Sequence, residues 1–152
     1  MVRVGILLYG LYRSEEVIHS IEVQPVMKFK TKVSAVKTVP PGTPIGYGKT
    51  FIANKESIVA TLPVGYGDGY RRQLANRGEV LIRGYRVPVI GHICMDMCMV
   101  DASDVEDVQV GDNVVLFGEG ISVNEFAARS DTNIDEVLCG VEKRVPRVYT
   151  KS

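Results

Sequence analysis

The chain has 152 residues, 18 Lys plus Arg against 18 Asp plus Glu, and 45% hydrophobic residues. That is one domain's length with enough apolar material for a single core, and it excludes wholesale disorder. The zero net charge argues against a nucleic-acid partner. No apolar run reaches the ~20 residues of a membrane-spanning helix, and the first apolar stretch does not read as a signal peptide. Three cysteines give no complete disulfide framework and point to a reducing, cytoplasmic setting.

Val2 to Tyr9 is an apolar run that reads as a buried strand. Glu15 to about Gln24 is mixed and reads as a link. Met27, Phe29, Thr31, Val33 and Ala35 then alternate with polar residues, the pattern of a strand with one wet face. Lys28, Lys30 and Lys32 are its solvated side. The phase slips after Ala35, which predicts a bulge there. Val39 to Pro44 is a breaker cluster and reads as a loop. Short strands are predicted at Ser57–Leu62, Glu79–Ile82, Arg86–Ile90, Met97–Val100 and Asn113–Phe117. Short strands with turn residues between them suggest a closed or nearly closed, Greek-key-like β-barrel. Ser122 and Glu125 form a capping-box pattern that starts one helix. Thr132 precedes a second, with Ile134, Val137, Leu138 and Val141 at helical spacing.

Gly46-Tyr47-Gly48-Lys49-Thr50 is not a phosphate loop, because the glycine required at position 43 is a threonine. Cys94 and Cys98, on one face of a strand, would stand about 13 Å apart, too far to share an ion with His92. They read as small buried residues, although a thiol nucleophile stays open. Cys139 reads as helix packing. Met95, Met97 and Met99 read as core filler, with Asp96 as a buried carboxylate in need of a partner. Tyr47 and Tyr66 each lie between glycines. The spacing fits a half-packed turn tyrosine as well as a chemically active one.

Six elements occur in order: Arg3-Val4-Gly5-Ile6, Tyr9-Gly10-Leu11-Tyr12, Gly46 to Phe51, Val64 to Gly69, Gly91 to Asp96 and Arg144-Val145-Pro146-Arg147. Together they resemble the carboxy-terminal part of the alanine racemases, a family dependent on pyridoxal 5'-phosphate. The resemblance implies that residues 1–24 are the last strand of a (β/α)8 barrel with a linker, and that residues 25–152 are the β domain. The rest of the barrel, with the Schiff-base lysine, has no counterpart in this chain, so the chain alone is expected to be inactive.

By the same resemblance, Tyr47 is the acid/base group on one face of the substrate α-carbon and reaches across a homodimer. A free phenol titrates near 10, so such a role calls for a cationic neighbourhood. Arg3 meets the cofactor's pyridine nitrogen. The backbone N–H groups of Gly5 and Ile6 meet its phosphate. Met95 meets the substrate carboxylate through its N–H, and Tyr66 narrows the way in. Arg72, His92 and Asp96 line the access corridor. The implied activity is interconversion of L- and D-alanine for peptidoglycan precursors. Lys143 stands where the family commonly has a tyrosine that helps close the pocket, so alanine competes with serine as the substrate, as in the serine racemases of glycopeptide resistance; His92 departs from the arginine usual at its corridor position. A non-catalytic, self-associating module is the rival of another class. The β domain of basic amino-acid decarboxylases shares the architecture, but the Ile-Cys-Met-Asp element argues against it.

Overall fold

The computed structural model describes residues 1, 3–12 and 22–150. Nine strands and two helices order them: β1 (Phe29–Lys32), β2 (Ala35–Val39), β3 (Pro44–Ile45), β4 (Phe51–Ile52), β5 (Ser57–Leu62), β6 (Glu79–Ile82), β7 (Tyr85–Ile90), β8 (Cys98–Asp101), β9 (Asn113–Phe117), α1 (Val123–Arg129) and α2 (Ile134–Gly140). Seven strands form one antiparallel sheet in the order β1-β9-β6-β7-β8-β5-β2, and β3 and β4 form a small separate ladder.

The two ends of that sheet are neighbours in sequence. Only Val33 and Ser34 separate β1, which pairs with β9, from β2, which pairs with β5. At this bend the Val33 N–H donates to the Asp112 carbonyl and the Ser34 N–H to the Thr61 carbonyl, each from a different wall. The sheet therefore curls round until one continuous segment touches both edges. This is the expected nearly closed barrel, and it leaves few unpaired strand groups. The bulge expected near Ala35 is absent: β2 pairs with β5 without a register shift from Ala35 to Val39, and the chain bends at Val33 and Ser34 instead.

Alternation places the core. Val80, Ile82, Val87, Val89, Cys98, Val100, Val114 and Leu116 are all at most 1% exposed, and they fill the barrel. Phe126 of α1 packs between Phe117 (5.3 Å between ring centroids) and Tyr70 (5.6 Å), which fixes the helices on the barrel. The Ser122 hydroxyl accepts from the Glu125 N–H at the start of α1, as the capping pattern predicts. At α2 the cap is Asn133, which accepts from the Glu136 N–H, and not Thr132. Arg86, Arg129, Glu79 and Glu125 form a network that ties α1 to β6 and β7.

Four expectations are corrected. Gly5–Tyr9 is a 3-10 helix, not a strand. Gly5 and Gly10 hold left-handed φ angles of 63° and 69°, and no described strand lies alongside to complete a ladder. Cys94 lies in a tight turn, its N–H donating to the Met97 carbonyl, so the extended 13 Å separation does not apply. Met95, Asp96 and Met97 are exposed on that turn; they are neither core filler nor a buried carboxylate. Cys139 is exposed on α2 and does not pack in the core. The link from Glu15 lies for the most part outside the described residues, as does Val2. No helix among the described residues is long and apolar enough to cross a membrane.

Candidate functional site

Three turns meet at one rim of the barrel. The first carries Tyr47. Gly46 and Gly48 flank it at φ 72° and 71°, angles that disfavour other residues, and Lys49 follows at φ 53°. The sharp turn leaves Tyr47 76% exposed.

The second turn runs from Gly91 to Met97. It lies directly beneath the first. A methyl group on Gly46 would stand 3.3 Å from the His92 nitrogen, and one on Gly48 would stand 3.5 Å from the His92 ring. Thus His92 is the floor of the tyrosine turn.

The third turn carries Tyr66 and is stitched to the second. The Tyr66 N–H donates to the Cys94 carbonyl at 3.0 Å, and the Gly67 N–H donates to the Met95 carbonyl at 2.8 Å. Arg72 lies over the Tyr66 ring, 5.9 Å from its centroid, within cation–π range. So Tyr47, Tyr66, Arg72, His92, Met95 and Asp96, spread over 50 residues of sequence, converge on one rim.

Asp68 and Arg144 hold this rim, and sequence reading did not single them out as a pair. Asp68 accepts from the Gly65 N–H through Oδ2 (2.9 Å) and from Arg144 Nε through Oδ1 (2.7 Å). Arg144 also donates to the Met95 carbonyl at 3.4 Å. The pair brings the chain's tail, and with it the exposed Lys143, beside the Tyr66 turn. The only signal for Asp68 was its place three residues after Gly65, the spacing of a turn cap.

Arg3 is exposed, two residues before Gly5. Gly5 and Ile6 border a shallow hollow with Tyr9, Asp135, Leu138 and Cys139, on the flank of α2. The far end of α2 abuts the Tyr66 turn, since a methyl group on Gly69 would overlap the Gly140 carbonyl. Burial, with Cys94 nearby, pushes the Cys98 thiol up to about 12, so Cys98 stays a neutral thiol and is no nucleophile. Among the described residues no cluster of His, Cys, Asp and Glu could hold a metal.

The family model for the alanine racemase C-terminal domain matches residues 26–149. The chain is 50% identical to the alanine racemase of Halothermothrix orenii over 98% of its own length and 40% of the relative's. Its fold superposes on the alanine racemase of Clostridium difficile 630 with a TM-score of 0.91 at 42% identity, over 96% of this chain and 39% of that one. An alanine racemase structure from Bartonella henselae with covalently bound pyridoxal phosphate gives a TM-score of 0.89 at 34% identity, over 96% of this chain and 40% of that one. The chain thus spans about 40% of the length of the relatives it matches. Sequence and fold agree across nearly the whole of it, and the chain belongs to the alanine racemase family as its carboxy-terminal domain.

Proposed function

We propose that this domain supplies the second half of a pyridoxal-phosphate-dependent alanine racemase active site, and that it does so across a homodimer. The observation that carries this reading is the Tyr47 turn. An exposed phenol, fixed at its base by two flanking glycines and seated on His92, is built to reach a site outside its own barrel.

The residues present fit the cofactor by the chemistry of their donors. Arg3 is a permanent cation. The 3-10 helix beginning at Gly5 has no side-chain cap, and the first N–H groups of such a turn lack an intrahelical acceptor. A Cβ on Gly5 would meet nothing within 4 Å, so the approach to these N–H groups is open. Arg3 would hold the pyridine nitrogen, and Gly5 and Ile6 the phosphate. When bound, the cofactor supplies the electron sink that acidifies the substrate α-carbon.

Tyr47 gives or takes the proton on one face of that carbon. The group for the other face would be a lysine on an amino-terminal barrel outside this chain. Arg3, unable to surrender its proton, stays a donor throughout. The Met95 N–H binds the substrate carboxylate, and Tyr66, Arg72, His92 and Asp96 shape the approach. Interconversion of L- and D-alanine would serve cell-wall precursor supply in the cytoplasm.

Lys143 favours keeping a second substrate in view. A flexible cation closes a pocket differently from a tyrosine ring. The test is racemisation by the chain alone, and by the chain reconstituted with an amino-terminal barrel, with L-alanine and L-serine offered side by side. Activity only in the mixture, lowered about 10²- to 10⁴-fold by Tyr47→Phe, is the expected result. An associated but inactive mixture would leave a self-associating module. Faster turnover of serine would reassign the substrate.

A further inference from the structure

We propose that Asn76 is a positioning residue for Tyr47, acting through Gly91; this rests on the reading of Tyr47 as the acid/base group. Asn76 lies in the loop after Leu74, 29 residues from Tyr47 in sequence, at a left-handed φ of 56°. Asparagine tolerates that conformation better than most residues. Its carboxamide oxygen accepts the Gly91 N–H at 2.6 Å.

Gly91 is in turn wedged under the tyrosine turn. It is buried, at φ 72°, and a methyl group there would stand 2.8 Å from the Ile45 carbonyl and 3.7 Å from the Gly46 Cα. Ile45 is itself a buried core residue at the end of β3. At Gly46 the tyrosine turn thus meets the backbone of Gly91 and His92 directly, with the Met99 side chain alongside, while the His92 ring lies under Gly48. Any drift of Gly91 moves Gly46, the residue that aims Tyr47. One side-chain hydrogen bond, from an exposed loop residue, holds the Gly91 N–H in place.

Two variants separate this from a general stabilising role. Asn76→Gly deletes the acceptor but keeps a residue at ease with the left-handed φ. Asn76→Asp keeps an acceptor oxygen at the same reach. On the 152-residue chain, nuclear magnetic resonance reads two sites: the Gly91 amide by hydrogen exchange, and the Tyr47 ring by its chemical shifts. In Asn76→Gly, Gly91 exchange is expected to quicken about tenfold or more, with displaced Tyr47 ring signals and an otherwise folded spectrum. Asn76→Asp is expected to restore both. Unchanged Tyr47 signals in Asn76→Gly overturn the proposal. So does global unfolding, which would make Asn76 a contact for the whole fold.

In the reconstituted racemase, Asn76→Gly should lower kcat about 10- to 100-fold, because a small misplacement of an acid/base group is costly, while KM changes less than about twofold. Wild-type kcat in that variant also overturns the proposal. A Tyr47→Phe enzyme that still racemises would instead defeat the catalytic reading of Tyr47. The spectra of the chain would then decide the positioning by themselves.

Discussion

Asp68 and Arg144 stand 76 residues apart in sequence and meet at 2.7 Å, and this pair closes the rim that carries Tyr66 and Met95. Asp68 works twice, since its other oxygen holds the Gly65 N–H. Its side chain is only 15% exposed, whereas Arg144 is 46% exposed and its charge is well screened. Removing Asp68 should therefore hurt mainly through the orphaned Gly65 N–H. Asp68→Ala is expected to cost about 1–3 kcal/mol, seen as a fall in Tm of about 2–4 °C per kcal/mol. Asp68→Asn keeps an acceptor for Gly65 and should cost less than half as much. Equal losses in both variants would assign the effect to the ion pair.

Acid should loosen α1 from the barrel. The Arg86 guanidinium, hydrogen-bonded to Glu125, holds its carboxyl below the usual 4.5, and Arg129 adds to the effect. A carboxylate with a lowered folded-state pKa contributes stability that is present above the unfolded value. That contribution is lost as pH falls below 4.5 and through the folded value. Glu125→Gln should be less stable than the parent near neutrality, and its urea midpoint should fall less steeply between about pH 5 and pH 2. Parallel curves for parent and variant would refute the assignment.

The three thiols should separate cleanly by reactivity. Cys139 is exposed, Cys94 is half-buried and Cys98 is buried. Since the thiolate is the reactive form, a Cys98 thiol pushed up to about 12 is essentially unreactive near neutrality. Titration with an aromatic disulfide reagent, read by peptide mapping, should label Cys139 first and Cys98 only on unfolding. Early labelling of Cys98 would show that the barrel opens far more often than its packing implies.

How legible all this was in the sequence varied with the source of each constraint. β5, β6 and β9 occupy the ranges read from alternation and turn residues, because a half-buried strand advertises its two faces. The capping pattern at Ser122 was equally readable, since cap and partner lie three residues apart. The Gly91–Met97 turn was not. Its alternating Cys and Met residues imitate a strand, and apart from the local Cys94–Met97 bond it is held by Asn76, Tyr66 and Gly67, far away in sequence. The Gly5–Tyr9 segment misled for the converse reason: its apolar pattern suits a strand, but a strand exists only beside another. The rim itself was reached through resemblance, not through spacing. Residues at 47, 66, 72, 92, 95 and 96 share no local period.

Tyr70 offers the last and sharpest test of the core. It is 0% exposed, its ring packs on Phe126, and its oxygen stands against Gly78. Among the described residues the hydroxyl has no hydrogen-bond partner. Burial, with Cys98 nearby, holds the phenol well above its ordinary range, so it stays protonated and contributes no charge. A buried donor without an acceptor costs about 1–3 kcal/mol. Tyr70→Phe removes that cost and keeps the ring contact, at the expense of a void smaller than a methyl group. The variant should be about 1 kcal/mol more stable than the parent, whereas Tyr70→Ala should lose about 3–5 kcal/mol through the cavity it leaves. Denaturant melts at neutral pH decide it. A Tyr70→Phe chain less stable than its parent would mean that the hydroxyl is satisfied inside the folded barrel, with an ordered water as the partner to look for.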